Sequence, residues 1–356
     1  MSGPALRVRA DLADVEPYVS PQQPARYRMN TNEAPYPPPV ALVEEVTSGL
    51  ADIALNRYPD RDAVALADAI AAHVGWPKEG LWVANGSNEV FMHLFLAFGG
   101  PGRTSLTFEP TYSMHTLIPK IAGTRTIQLR RGHDLRVDLD IALETVEEER
   151  PEVVIVCSPN NPTGGCEGIT AIEALLAAAP GLVIVDEAYG EFDRHEHSVQ
   201  PLLGDHDNLV ITKTFSKAWR LAGVRIGYML AAPELVADLA RVRLPYHLSA
   251  ITQLVGVAAI NHSADTLAMV EAIAEQRDRI GVELAALGLK AYPSRANFVL
   301  FEVDDPDAVW TGLLERGVLI RNYAGTPGLE RCLRVTAGLP DETDAFIDAI
   351  REVVDA

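Results

Sequence analysis

The chain has 356 residues, 48% of them hydrophobic and 22% charged, with a formal net charge of -19 at pH 7. That length allows one large core plus a second, smaller one, and the composition is that expected of a soluble globular protein. The charge argues against nucleic acid and anionic membranes, whose binding needs clustered cations. It leaves room for a small anionic ligand held by a few arginines; the densest basic pair, Arg130–Arg131, is too small for a nucleic-acid patch.

The first thirty residues lack a basic segment followed by an apolar run, so no secretory signal is expected. No apolar run reaches the ~20 residues needed to span a bilayer. The three cysteines, Cys157, Cys166 and Cys332, are too sparse for a disulfide framework and read as reduced thiols. The expected compartment is the cytoplasm.

Residues 1–28 read as an irregular Pro- and Ala-rich arm associated with the smaller domain. Ala34–Pro39 is stiffened by proline. From Asp60 the pattern changes to helices alternating with short apolar strands. Asp60 or Asp62 is placed to cap a helix running to Val74, and Asn85-Gly86-Ser87 opens another carrying Val90, Phe91, Leu94 and Ala97. Ser105–Phe108 and Thr126–Leu129 read as strands. Val153–Val156 and Leu182–Val185 are unbroken apolar runs, as in parallel strands buried on both faces. Leu209–Ile211 and Ile226–Leu230 add two more. The predicted fold class is α/β, with a mostly parallel sheet covered by helices over residues 29–250. Past Leu244 the texture changes. A helical stretch from Ala264 to Leu287 precedes strands at Phe298–Phe301, Val318–Arg321 and Leu333–Thr336, giving a smaller α+β domain over 251–356.

Four segments carry chemistry: Asn85-Gly86-Ser87-Asn88, Ser158–Gly164 (SPNNPTG), Val185–Tyr189 (VDEAY), and Thr214-Phe215-Ser216-Lys217 followed by Arg225. Three of them lie just past the carboxyl ends of apolar strands, where open parallel sheets bind ligands. Each has a plain reading alone: a turn, a strand-end carboxylate, a surface lysine, a helix start. Together they meet the needs of one cofactor, pyridoxal phosphate. Lys217 can form a Schiff base with its aldehyde. Asp186 can keep its pyridine nitrogen protonated. Asn161 and Tyr189 can donate to its phenolic oxygen. The phosphate suits Gly86, Ser87 and Asn88 at a helix N-terminus, with Thr214, Ser216 and Arg225 completing the cradle.

On these motifs the chain resembles the fold-type-I pyridoxal-phosphate aminotransferases, and within them the histidinol-phosphate aminotransferases. The resemblance runs from Met29-Asn30-Thr31-Asn32-Glu33 to Leu333–Gly338. The subgroup rests on Asn32-Glu33 with the following prolines, Arg57-Tyr58-Pro59-Asp60, Glu109-Pro110-Thr111-Tyr112 and Arg243–Ser249. It implies that Tyr112 stacks on the pyridine ring and that Asn32 and Asn161 border the substrate. It further implies that Arg334 binds a substrate anion, assisted by Arg321. Tyr58 is implied to reach the cofactor of a second subunit, making the protein a homodimer with shared sites. The implied reaction moves an amino group between glutamate and imidazole-acetol phosphate. Ala34, Trp219-Arg220 and the segment 324–332 depart from the family pattern and bear on the substrate. An aromatic amino-acid aminotransferase, a decarboxylase of a phosphorylated amino acid and a cofactor-binding regulator are the other readings. The regulator needs a DNA-binding module that the arm is too short to hold. His195-Glu196-His197 reads as an exposed loop, no zinc spacing is seen and no metal is expected. Gly99–Gly102 lacks the setting of a dinucleotide site.

Overall fold

The computed structural model describes residues 8–13, 15–16 and 22–354. Of the arm predicted over residues 1–28, residues 1–7, 14 and 17–21 lie outside that set. At the end of the arm, β1 (Tyr27–Arg28) pairs with Val318–Leu319 in a separate two-stranded sheet, where an irregular segment was expected.

The first unit runs α1 (Val40–Leu50), α2 (Val64–Val74), β2 (Leu81–Ala84), α3 (Ser87–Phe98), β3 (Thr104–Glu109), α4 (Met114–Ala122), β4 (Arg125–Arg130), α5 (Leu139–Glu149), β5 (Val153–Cys157), α6 (Ile169–Ala178), β6 (Leu182–Asp186), β7 (Leu209–Thr214), β8 (Gly227–Leu230), α7 (Pro233–Leu239) and α8 (Ala250–Asn261). The strands form one sheet in the order β2-β8-β7-β6-β5-β3-β4. Neighbours from β7 through β4 are parallel, whereas β8 runs antiparallel to both β7 and β2. The runs of β5 to β7 are buried throughout except at Leu182, which is half-buried. Their side chains alternate between two cores, as the period of a strand requires. Val154, Val156, Val183, Val185 and Ile211 face one, and Val153, Ile155, Ile184 and Val210 the other. Helix starts follow local chemistry: the Asp138 carboxylate accepts from the Ile141 amide at α5, and Ser249 Oγ from the Thr252 amide at α8. Of the two predicted caps of α2, Asp60 serves, accepting from the Val64 amide.

The second unit holds α9 (Ser263–Leu267), α10 (Val270–Ala286), β9 (Phe298–Glu302), α11 (Pro306–Glu315), β10 (Val318–Leu319), β11 (Arg321–Asn322), β12 (Cys332–Thr336) and α12 (Pro340–Val354). β11, β12 and β9 form an antiparallel sheet, and β10 pairs parallel with β1. Its core of Phe298, Phe301, Leu333, Val335, Phe346 and Ile350 is continuous with Tyr189, Phe192 and Ala218 of the first unit.

Several expectations need correction. The helix expected over 264–287 is two helices, parted by a turn at Ala268–Met269 that no Pro or Gly announces. α1 and β2 were not foreseen. The boundary expected after residue 250 cuts off α8, yet its Val255, Ala258 and Ala259 lie in the large-sheet core, so a division after Asn261 fits better. His195-Glu196-His197 is not wholly an exposed loop: His197 is half-buried against Asp193, its Nδ1 2.9 Å from Oδ2.

Candidate active site

The carboxyl ends of β5, β6 and β7 open on one cavity of about 430 Å³, bounded on its far side by β11 and β12. Its wall includes Asn32, Ser87, Asn88, Tyr112, Asn161, Asp186, Tyr189, Thr214, Ser216, Lys217, Arg225, Arg321 and Arg334. The residues expected from the sequence thus converge, with two exceptions. Gly86 is the residue preceding α3 and is not part of the wall, and Tyr58, expected to serve a second subunit, lies outside this cavity. Tyr58 is 80% exposed and stacks on Tyr246 at 4.4 Å between ring centroids.

Asp186 ends β6, and Lys217 follows β7 in the loop that turns back into β8. The Lys217 amine donates to the Thr31 carbonyl at 3.0 Å. Burial lowers its pKa to about 8; Arg334 and Arg225 push the same way, and Glu33 opposes them. Lys213 is the other lysine of the segment. It points away from this cavity and pairs with buried Glu187 at 2.7 Å.

Both oxygens of Asp186 are held. Oδ1 accepts from Thr212 Oγ1 at 3.0 Å and from the Ala188 amide at 3.2 Å, and Oδ2 lies 2.9 Å from His115 Nε2. His115 Nδ1 is 3.2 Å from Thr111 Oγ1, whose hydroxyl donates to Asn160. His115 was missed by the sequence reading. It lies three residues after Tyr112, in the first turn of α4, and nothing in that spacing records its pairing with Asp186.

At the other end of the cavity α3 points its N-terminus inward. Gly86 has φ +81°, and a Cβ there would meet Arg225 Nη2 at 2.6 Å. A Cβ on Gly227 would lie 2.2 Å from the Ser87 amide nitrogen. Glycine at both positions lets the helix start, β8 and Arg225 close together. Arg225 Nη1 donates to Ser216 Oγ at 3.1 Å, and Thr214 Oγ1 donates to the same oxygen at 3.0 Å. This is a set of donors around a space suited to a dianion.

Between these ends, Asn32 Nδ2 donates to Tyr189 Oη at 2.9 Å. The phenol oxygen is thereby used as an acceptor, and its own proton is left for another partner. Burial holds the Tyr189 phenol well above its usual range, so it is present as O–H. Asn161 Oδ1 accepts from Arg334 Nη1, which orients the amide NH₂ away from that arginine. Lysine, carboxylate, paired O–H and N–H donors and an anion cradle fit pyridoxal phosphate. The departures noted at 219–220 serve packing: Trp219 stacks on Phe215 at 4.5 Å, and Arg220 donates to the Pro37 and Asp265 carbonyls.

The family model of aminotransferase class I and II matches residues 27–350. The chain belongs to that family. As a class I and II aminotransferase it has near full-length relatives. A protein of Corynebacterium glutamicum (strain R) named histidinol-phosphate aminotransferase is 45% identical over 358 residues, covering 98% of this chain and 97% of the relative. One of the same name from Mycobacterium marinum is 46% identical over 353 residues, covering 97% and 91%. The solved histidinol-phosphate aminotransferase of Sinorhizobium meliloti, in complex with pyridoxal-5'-phosphate, superposes with a TM-score of 0.88 at 25% identity, over 99% of each chain. Among the described residues no helix is long and apolar enough to cross a membrane.

Proposed function

We propose that this aminotransferase moves an amino group between glutamate and imidazole-acetol phosphate, giving L-histidinol phosphate and 2-oxoglutarate. The observation that carries the substrate choice is the near full-length identity to relatives of that name. It is supported by Arg321 and Arg334 facing each other across β11 and β12 at the cavity wall. When bound, pyridoxal phosphate supplies an aldehyde that takes up the amino group and a pyridinium ring that draws electrons from the substrate carbon losing its proton.

The chain's residues then divide the work. Lys217 holds the aldehyde. Once released it is the base that carries a proton to and from the substrate Cα, a task its lowered pKa suits. Asp186, oriented by Thr212 and His115, is placed to pair with the pyridine nitrogen and keep it protonated. Asn161 and Tyr189 donate to the phenolic oxygen, and Asn32 turns the Tyr189 proton toward it. The amides of Ser87 and Asn88, with Thr214, Ser216 and Arg225, hold the phosphate. Tyr112 offers a ring face to the pyridine. Arg334, buried at 4% exposure with its Nε unpaired, takes the substrate anion, and Arg321 assists.

We further propose a homodimer in which Tyr58 serves the neighbouring subunit. Leu55, Tyr58, Leu244 and Tyr246 are exposed on two adjoining segments, an apolar face that a second copy would cover. The three buried free thiols suit a reducing cytoplasm. Mixing the holoenzyme with glutamate alone tests the reaction type. Stoichiometric 2-oxoglutarate and the aminated form of the cofactor are expected. Release of carbon dioxide, or no conversion, would turn the assignment to a lyase or a non-catalytic binder.

A further inference from the structure

Arg321 and Arg334 are direct partners in the antiparallel register of β11 and β12. Like charges directly opposite on paired strands are destabilising unless something of opposite sign lies near. Part of the compensation is Tyr323, two residues past Arg321. Its ring centroid is 5.5 Å from the Arg334 guanidinium carbon and 6.0 Å from that of Arg321. Arg334 Nη1 donates to Tyr323 Oη at 2.9 Å and Nη2 donates to the Asn30 carbonyl at 2.8 Å, while its buried Nε has no partner.

A guanidinium only donates. The Tyr323 oxygen therefore acts as acceptor toward Arg334, and its own proton is directed to some other group. Tyr323 lines the cavity beside both arginines. Resting on the function proposed above, we infer that the Tyr323 hydroxyl is the donor by which this site tells a phosphate monoester from a carboxylate. A carboxylate offers two oxygens, which one planar guanidinium fork satisfies. A phosphate monoester offers a third terminal oxygen, and that oxygen takes the Tyr323 proton. The same pocket thus accepts glutamate in one half-reaction and binds the phosphorylated amino alcohol more tightly in the other.

The test is Tyr323→Phe in the holoenzyme, which keeps the ring between the arginines and removes only the hydroxyl. Loss of the acceptor loosens Arg334 for either anion, so the ratio carries the result. Single-turnover titrations give apparent dissociation constants for histidinol phosphate and for glutamate, and calorimetry gives that for inorganic phosphate. The constants for histidinol phosphate and inorganic phosphate should rise about tenfold or more, as for a lost hydrogen bond to a charged group, and the glutamate constant by under about threefold. Equal weakening of all three would make Tyr323 only a support for Arg334, and no change would remove it from the site. Should the wild type fail to react with histidinol phosphate, the functional reading falls. The inorganic phosphate titration still decides the role of Tyr323.

Discussion

Lys217 sits where burial and two guanidinium groups all disfavour its charge, which places its pKa at about 8 rather than the usual 10.5. Two consequences follow at this residue. The neutral amine is the form that attacks an aldehyde, so capture of pyridoxal phosphate by the apoprotein should accelerate with a midpoint near pH 8. Between about pH 8 and 10.5 the folded apoprotein binds fewer protons at this site than the unfolded chain, so Lys217 makes stability rise with pH across that window. Stopped-flow capture rates against pH check the first, and denaturant unfolding of the apoprotein and its Lys217→Met variant the second. A capture midpoint near 10 would mean that the amine is solvated and that the two arginines do not act on it. Lys213 shows why the environment decides: it is the more buried of the two, but Glu187 raises its pKa and it stays charged. Lys217, Asp186, Asn161 and Ser87 were legible in the sequence because each follows an apolar run or opens a helix at the same edge of the sheet. His115 and Tyr323 were not. Each acts through a partner distant along the chain, Asp186 at 71 positions and Arg334 at 11, and no local pattern records such a pairing.

Among the elements, β8 was legible as a strand but not in its direction. An apolar run says that both faces are covered and does not say which way the chain travels. A parallel return needs a crossover of a dozen or more residues, usually a helix. Residues 215–226 contain only a short helical turn, and the strand comes back antiparallel. That reversal sets Lys217 in the loop at the carboxyl end of β7 and brings Gly227 against the start of α3. Gly227→Ala should push the Ser87 amide out of place, because the new methyl would lie 2.2 Å from its nitrogen. The affinity for pyridoxal phosphate should fall about tenfold or more, the loss of one backbone hydrogen bond to a charged group. Equilibrium titration of the apoprotein, followed by the absorbance of the bound cofactor, gives the value. An unchanged affinity would show that the α3 amides do not hold the phosphate. α8 was misassigned for a related reason. It follows the change of texture near Leu244, but its apolar stripe belongs to the earlier core, and a stripe does not name the surface it packs on.

On the scale of the whole molecule, the proposed homodimer would cover the exposed stack of Tyr58 on Tyr246, and two copies would complete each other's sites there. If so, Tyr58→Phe and Lys217→Ala lie in different chains of one site. Mixed subunits that exchange should contain one site with both defects and one with neither, and activity should rise above that of either parent. No gain despite demonstrated exchange would mean that each site is built within one chain. The central claim is that this aminotransferase acts on a phosphorylated amino alcohol, its anion held between Arg321 and Arg334. Its most direct test is the ratio of kcat/KM for histidinol phosphate to that for phenylalanine, with 2-oxoglutarate as the amino acceptor. A site built to hydrogen-bond the phosphate should favour histidinol phosphate by about a hundredfold or more. Equal constants, or a preference for phenylalanine, would contradict the assignment and make the chain an aromatic amino-acid aminotransferase.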